Sequence, residues 1–186
     1  GRTVDAGLCG RGQRGRYRAG LGLSSGSVSG STCPLCASDG GELLHRARSW
    51  RLVLADEPDW PGLVRIIWNE HVAELSDLSE SDSLDLMAAV RQVERVLRDT
   101  LTPDKVNVAS LGNQVPHLHV HIVPRWRDDL TFPGSIWSRP ETGLSGNISS
   151  SDRAAAALAR SQSTALRIPA LRLALVHSLA RSSHSH

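Results

Sequence analysis

The sequence predicts an α+β fold, an antiparallel sheet of about five strands covered by one long helix. Two observations carry that prediction. Short apolar runs, alternating or β-branched and bounded by turn residues, lie over 42–68 and again over 106–124. Between them sits one sustained helical period over about 80–101, and the order strands, helix, strands is that of a sheet with a helix segregated to one face.

The elements follow in order. Residues 1–32 are Gly-, Arg- and Ser-rich, bury too little apolar surface to offset chain entropy, and are expected to be a disordered basic arm. The chain begins at Gly1 rather than Met, which fits a fragment or an extended gene product. A C-P-L-C turn (33–36) and an Asp39-Gly40-Gly41 break precede strands at Glu42–Arg46 and Trp50–Ala55, and D-E-P-D-W-P (56–61) stops the second. Gly62–Trp68 reads as a buried strand, with His71 and a loop carrying L-S-D-L-S (75–79) after it. Ser79 or Ser81 can cap a helix whose Leu86, Val90, Val93, Leu97 and Leu101 recur at three- and four-residue spacing, and Thr102-Pro103 ends it. Val106 and Val108 flank Asn107 in a further strand, L-G-N-Q-V-P (111–116) turns, and His117–Pro124 is the last strand. Residues 139–151 read as linker, and 152–181 as an Ala/Leu/Arg-rich helix broken near Pro169. The expected organisation is therefore an arm (1–32), a domain (33–138) and a C-terminal segment (139–186) with no assigned function.

Charge follows the same division. Residues 1–32 carry five Arg against Asp5, a balance of +4, whereas 33–139 balance at −5 and 140–186 at +3. An acidic centre argues against nucleic acid as the principal partner, although R-G-Q-R-G-R-Y-R (11–18) could touch RNA electrostatically. Arg160, Arg167, Arg172 and Arg181 interrupt every apolar run of the C-terminal segment, so no membrane span is expected. No stretch has the order of a secretory signal peptide, which makes the cytoplasm the default expectation. Of the three cysteines, Cys9 lies in the arm and reads as incidental. Cys33 and Cys36 have the spacing of a zinc knuckle or a redox pair.

The chemistry concentrates in V-P-H-L-H-V-H-I-V-P-R (115–125). On a strand, His117, His119 and His121 share one face at intervals of about 7 Å, while Leu118, Val120 and Ile122 point into the core. Three imidazoles in register need partners or a ligand. They suit either metal ligation or nucleophilic attack at phosphorus by a neutral imidazole, and the pattern alone does not choose between the two. The lack of Asp or Glu between residues 105 and 127 weakens a mixed His/carboxylate hydrolytic metal site. His45 reads as an ordinary strand histidine. Trp50, Trp60, Trp68, Trp126 and Trp137 read mainly as packing residues, some of them available to stack on a base.

H-L-H-V-H-I-V-P-R resembles the motif of the histidine triad (HIT) family of nucleotide hydrolases and transferases. N-E-H-V-A-E-L-S-D-L (69–78), the long helix, N-V-A-S-L-G-N-Q-V-P (107–116) and F-P-G-S-I-W (132–137) follow the family's order, and the bacterial branch similar to diadenosine tetraphosphate hydrolases is the nearest in pattern. The resemblance implies His119 as nucleophile at the α-phosphate of a nucleotide, through a nucleotidyl-histidine intermediate. His121 and Asn107 would then be phosphate-side donors, Gln114 would lie near the leaving group, and His117 would orient His119, with its backbone carbonyl as one route. It also implies a homodimer and catalysis without a cofactor. In some members Cys33, Cys36, His71 and His117 correspond to a structural zinc set, although His71 could instead cap the sheet end or lie in the nucleotide pocket. The readings carried forward are a nucleotide hydrolase, a slow nucleotide-binding or regulatory module, and an RNA-associated protein acting through its arm. An intact middle histidine favours the first over the second.

Overall fold

The computed structural model describes residues 33–138 and 150–182; the arm, Cys9 and the linker over 139–149 lie outside the described residues. Its elements are α1 (Pro34–Ala37), β1 (Glu42–Arg46), β2 (Trp50–Leu54), β3 (Val64–Trp68), α2 (Glu80–Leu101), β4 (Lys105–Ala109), β5 (His119–Arg125), α3 (Ser150–Ala165) and α4 (Ile168–Ser182). The five strands form one sheet in the order β1-β2-β3-β5-β4, every neighbouring pair antiparallel. The expected α+β architecture is the one found, with a single turn of helix at C-P-L-C and a 3-10 turn at Leu75–Asp77.

Helix α2 starts where the Ser79 hydroxyl accepts a hydrogen bond from the Asp82 backbone N–H at 3.1 Å. Glu80 and Asp82 in its first turn complement the helix dipole. It ends at Thr102, whose left-handed backbone (φ 50°) is followed by a proline that cannot continue the helix. Its buried stripe, Leu86, Ala89, Val90, Val93, Leu97 and Leu101, packs against Trp50, Leu52, Leu54, Val64, Ile66 and Trp68 of the sheet and against Leu118, Val120 and Ile122. Residues of opposite parity point to the other face. There Val53 and Ile67 pack on Leu35, while Leu63 and Val123 pack together with Ala55. All five residues of β2 are consequently buried, Arg51 among them.

The C-terminal segment departs from the sequence expectation. Composition separates it from the domain at residue 139, but α4 lies in the same core: Leu171, Leu175 and Leu179 are each at most 2% exposed and join the α2–sheet cluster. Gln92 of α2 donates its side-chain amide to the Ser178 carbonyl at 2.8 Å, and Arg172 pairs with Glu42 of β1 at 2.6 Å. The expected break near Pro169 falls at Leu166–Arg167, leaving the proline in the first turn of α4, where its missing N–H costs no intrahelical bond. Gly62 shows how closely these parts meet. Its φ is +90°, and a Cβ there would lie 2.7 Å from Leu101 Cδ1.

Candidate active site and metal centre

Strand β5 carries the central residues. His119 pairs with Ile67 of β3, and His121 pairs with Arg65 of β3 and Ala109 of β4. Their side chains face away from α2, with ring centroids 4.9 Å apart. Leu118, Val120 and Ile122 lie in the helix-side core, as the alternation expects. The strand begins at His119 rather than His117, because the backbone bends at 115–118: His117 N–H bonds to Val115 O at 2.8 Å, and Leu118 N–H to Val72 O at 2.7 Å. His117 therefore precedes the strand proper and is fully buried at the sheet end.

Hydrogen bonding then fixes which nitrogen carries the proton toward the backbone in His119 and His117. His119 Nδ1 lies 2.6 Å from the carbonyl oxygen of His117, and since a carbonyl only accepts, Nδ1 carries the proton and Nε2 keeps the lone pair. His117 Nε2 lies 2.7 Å from Trp68 O, so its lone pair is at Nδ1. His121 is held neutral. Burial, followed by the neighbouring His119 and Arg65, pushes it down to about 4, and its Nδ1 is buried without a hydrogen-bond partner among the described residues. Trp137 covers it edge-on at 5.1 Å.

The lone pair of His117 points into a second cluster. Its Nδ1 is 3.5 Å from Cys33 Sγ, 3.4 Å from Cys36 Sγ and 3.3 Å from His71 Nδ1, and Cys36 Sγ is 3.3 Å from His71 Nδ1. All four ligand atoms lie within 4.8 Å of one another. A tetrahedron built on zinc bond lengths of about 2.3 Å to sulfur and about 2.0 Å to nitrogen sets S···N at about 3.5 Å and N···N at about 3.3 Å. The donor set and its spacing fit the structural zinc that the sequence resemblance implies. The Trp68 carbonyl fixes the tautomer of His117 in the form a metal ligand needs. Buried Arg51 braces the cysteine turn from beneath, its guanidinium bonded to Leu35 O at 2.5 Å and Asp39 O at 3.1 Å.

Asn107 of β4 lies on the face of the histidines, and its Oδ1 accepts from Arg125 Nη1 at 2.7 Å. Gln114 is exposed on the turn before His117. His45 stays on β1 beside Trp50, with ring centroids 5.5 Å apart.

Residues 43–128 match the HIT domain family. This region belongs to the histidine triad superfamily. Around the HIT domain, the chain is 30% identical over 116 residues to the bis(5'-nucleosyl)-tetraphosphatase [asymmetrical] of Schizosaccharomyces pombe, covering 60% of this chain and 63% of that one. It is 32% identical over 105 residues to the AP-4-A phosphorylase of Mycobacterium tuberculosis, covering 53% and 54% respectively, so it spans less than two thirds of either relative. Among solved structures, a histidine triad protein from Bradyrhizobium japonicum aligns at 26% identity with a TM-score of 0.51, over 66% of this chain and 91% of that one. One from Marinobacter aquaeolei aligns at 23% identity with a TM-score of 0.52, over 73% and 96%, a likeness of fold alone.

Two residues beside the candidate site stand outside the sequence pattern. Arg125 shares the parity of His119 and His121, and Asp129 follows four residues later; together they form a buried ion pair beside Asn107. The parity was readable in the sequence. Burial and the partner were not, because an Arg at a strand end ordinarily reaches solvent.

Proposed function

We propose that this protein is a nucleotide hydrolase or transferase that cleaves a phosphoanhydride or phosphoramidate at the α-phosphate of a nucleotide. The observation that carries the reading is the 2.6 Å hydrogen bond from His119 Nδ1 to the His117 carbonyl, which leaves Nε2 as the nitrogen that can meet a substrate. In the proposed reaction Nε2 attacks the α-phosphorus and a P–N bond forms as the P–O or P–N bond to the leaving group breaks, its electron pair departing with that group. Water then attacks the same phosphorus, releasing the nucleoside monophosphate and restoring His119. His121 and the Asn107 amide are assigned to the phosphate oxygens, and Gln114 to the leaving-group side, where charge builds up. The relatives named for dinucleoside polyphosphate chemistry support this substrate class.

Cys33, Cys36, His71 and His117 would hold a structural zinc, which supplies cross-linking of the cysteine turn to the sheet end and takes no part in the reaction. No other cofactor is proposed. A thiolate site needs reduced cysteines, which favours a reducing compartment such as the cytoplasm. Strand β4 is an edge of the described sheet, with Val108 45% exposed on it, and a homodimer formed along that edge is proposed. Residues 33–138 are the proposed catalytic unit.

The test is a panel of dinucleoside polyphosphates and nucleoside phosphoramidates, with intact-mass detection of a nucleotidylated protein. Turnover and an adduct lost in His119→Ala are expected. Nucleotide binding without turnover, unchanged in His119→Ala, would instead identify a binding module.

A further inference from the structure

We propose that Arg125 and Asp129 form a buried latch that sets the orientation of the Asn107 carboxamide and holds together the two walls of the cleft beside His121. Arg125 is 1% exposed and Asp129 6%. The pair is bidentate, Nε to Oδ2 at 2.6 Å and Nη2 to Oδ1 at 2.9 Å. A simple core staple would end there. This guanidinium goes further and spends Nη1 on Asn107 Oδ1 at 2.7 Å.

That contact has a chemical consequence. Arginine has donors only, so the Asn107 atom facing it must be oxygen, and Nδ2 with its two hydrogens is turned the other way. Asn107 lines a cleft of about 460 Å³ together with Ala109, Ser135 and Trp137. Ala109 is the cross-strand partner of His121, and Trp137 covers the His121 ring, so the cleft adjoins the triad. The opposite wall is tied to the same two residues. Arg125 Nη2 bonds to Gly134 O at 3.0 Å and Thr131 Oγ1 at 3.2 Å, while Asp129 Oδ1 accepts from Thr131 N at 3.0 Å and Phe132 N at 2.8 Å. One buried pair thus anchors β4 on one side and the turn leading to Ser135 and Trp137 on the other. Arg125 and Asp129 are positioning residues, acting through Asn107 and that turn.

The kinetic arm of the test rests on the proposed hydrolase reading; the spectroscopic arm does not. In hydrolysis of a dinucleoside tetraphosphate, Asn107→Ala and Asp129→Asn should each lower kcat roughly tenfold with KM within about twofold, and the double variant should be no more than about twofold worse than Asn107→Ala alone. Arg125→Lys, which can reach Asp129 but cannot also serve Asn107, should show the same fall in kcat. Additive losses in the double variant, or an Asp129→Asn protein that loses thermal stability while keeping its kcat, would overturn the proposal. Nitrogen-15 relaxation of the unmutated protein should show the Asn107 side-chain amide as rigid as the sheet backbone, and that amide should shift on titration with adenosine monophosphate. An Asn107 amide as mobile as those of exposed side chains overturns the latch whether or not any variant folds. A rigid amide in a protein without turnover would uphold the latch while removing the hydrolase reading.

Discussion

His119 and His121 stand two residues apart on one strand, yet their surroundings prepare them differently. His119 has one nitrogen committed to a backbone carbonyl and one left free, so His119→Ala should remove the nucleotide adduct and lower turnover roughly a thousandfold or more, read by single-turnover kinetics. His121 is desolvated beside Arg65 and His119, and its folded-state value is lowered from 6.5 to about 4. The unfolded chain therefore takes up a proton on this residue at higher pH than the folded one. The stability associated with neutral His121 is complete above pH 6.5 and is lost as the pH falls towards 4. His121→Gln removes this proton uptake, so the parent should lose stability relative to the variant between pH 6.5 and 4, measured by urea unfolding at a series of pH values. A parallel pH dependence of the two proteins would contradict the assignment.

At the level of elements, the turn α1 and the helix α4 make separable contributions. The cysteine turn is held to the sheet by Leu35, Cys33 and the Arg51 hydrogen bonds, and the proposed metal should add a further fastening. Zinc content measured by mass spectrometry should be near one per chain and fall to near zero in Cys36→Ser, and chelation should lower both the melting temperature and the turnover. Full turnover by a metal-free preparation would separate the cluster from the triad. Helix α4 buries three leucines in the main core, and Leu175→Ala should cost about 2–4 kcal/mol of unfolding free energy in denaturant titration. The strands and α2 were legible in the sequence because period and caps state the same thing twice, as in the Ser79 cap followed by the Leu86–Leu101 stripe. The place of α4 was not, since an Ala/Leu/Arg pattern announces a helix without saying which surface it covers. The start of β5 at His119 rather than His117 was hidden for a related reason: the bend at 115–118 depends on hydrogen bonds to Val72 and Trp68, distant in sequence.

Across the described molecule, the sheet acts as a bench on which three polar assemblies stand: the cysteine–histidine cluster just before β5, His119 and His121 in its first half, and the Arg125–Asp129 pair at its far end. The core beneath α2 is built from the large apolar cluster, and the opposite face carries two smaller ones, Leu35–Val53–Ile67 and Ala55–Leu63–Val123. Rigid support of this kind suits chemistry that depends on placement. Among the described residues no helix is long and apolar enough to cross a membrane. If the β4 edge joins two copies, light scattering should give twice the chain mass, and a charged residue in Val108→Glu should return the protein to the monomer.

His117 gives its ring to the cysteine cluster and its carbonyl to His119, and the ring's partner Cys33 lies 84 residues upstream. If His119 is the nucleophile, the carbonyl that orients it belongs to a residue whose ring is held by a segment made much earlier in the chain. In a refolding experiment the helical signal, which needs only local contacts, should return before turnover does. Catalysis here would double as a proofreading of assembly, silent in any chain whose first turn has not yet docked.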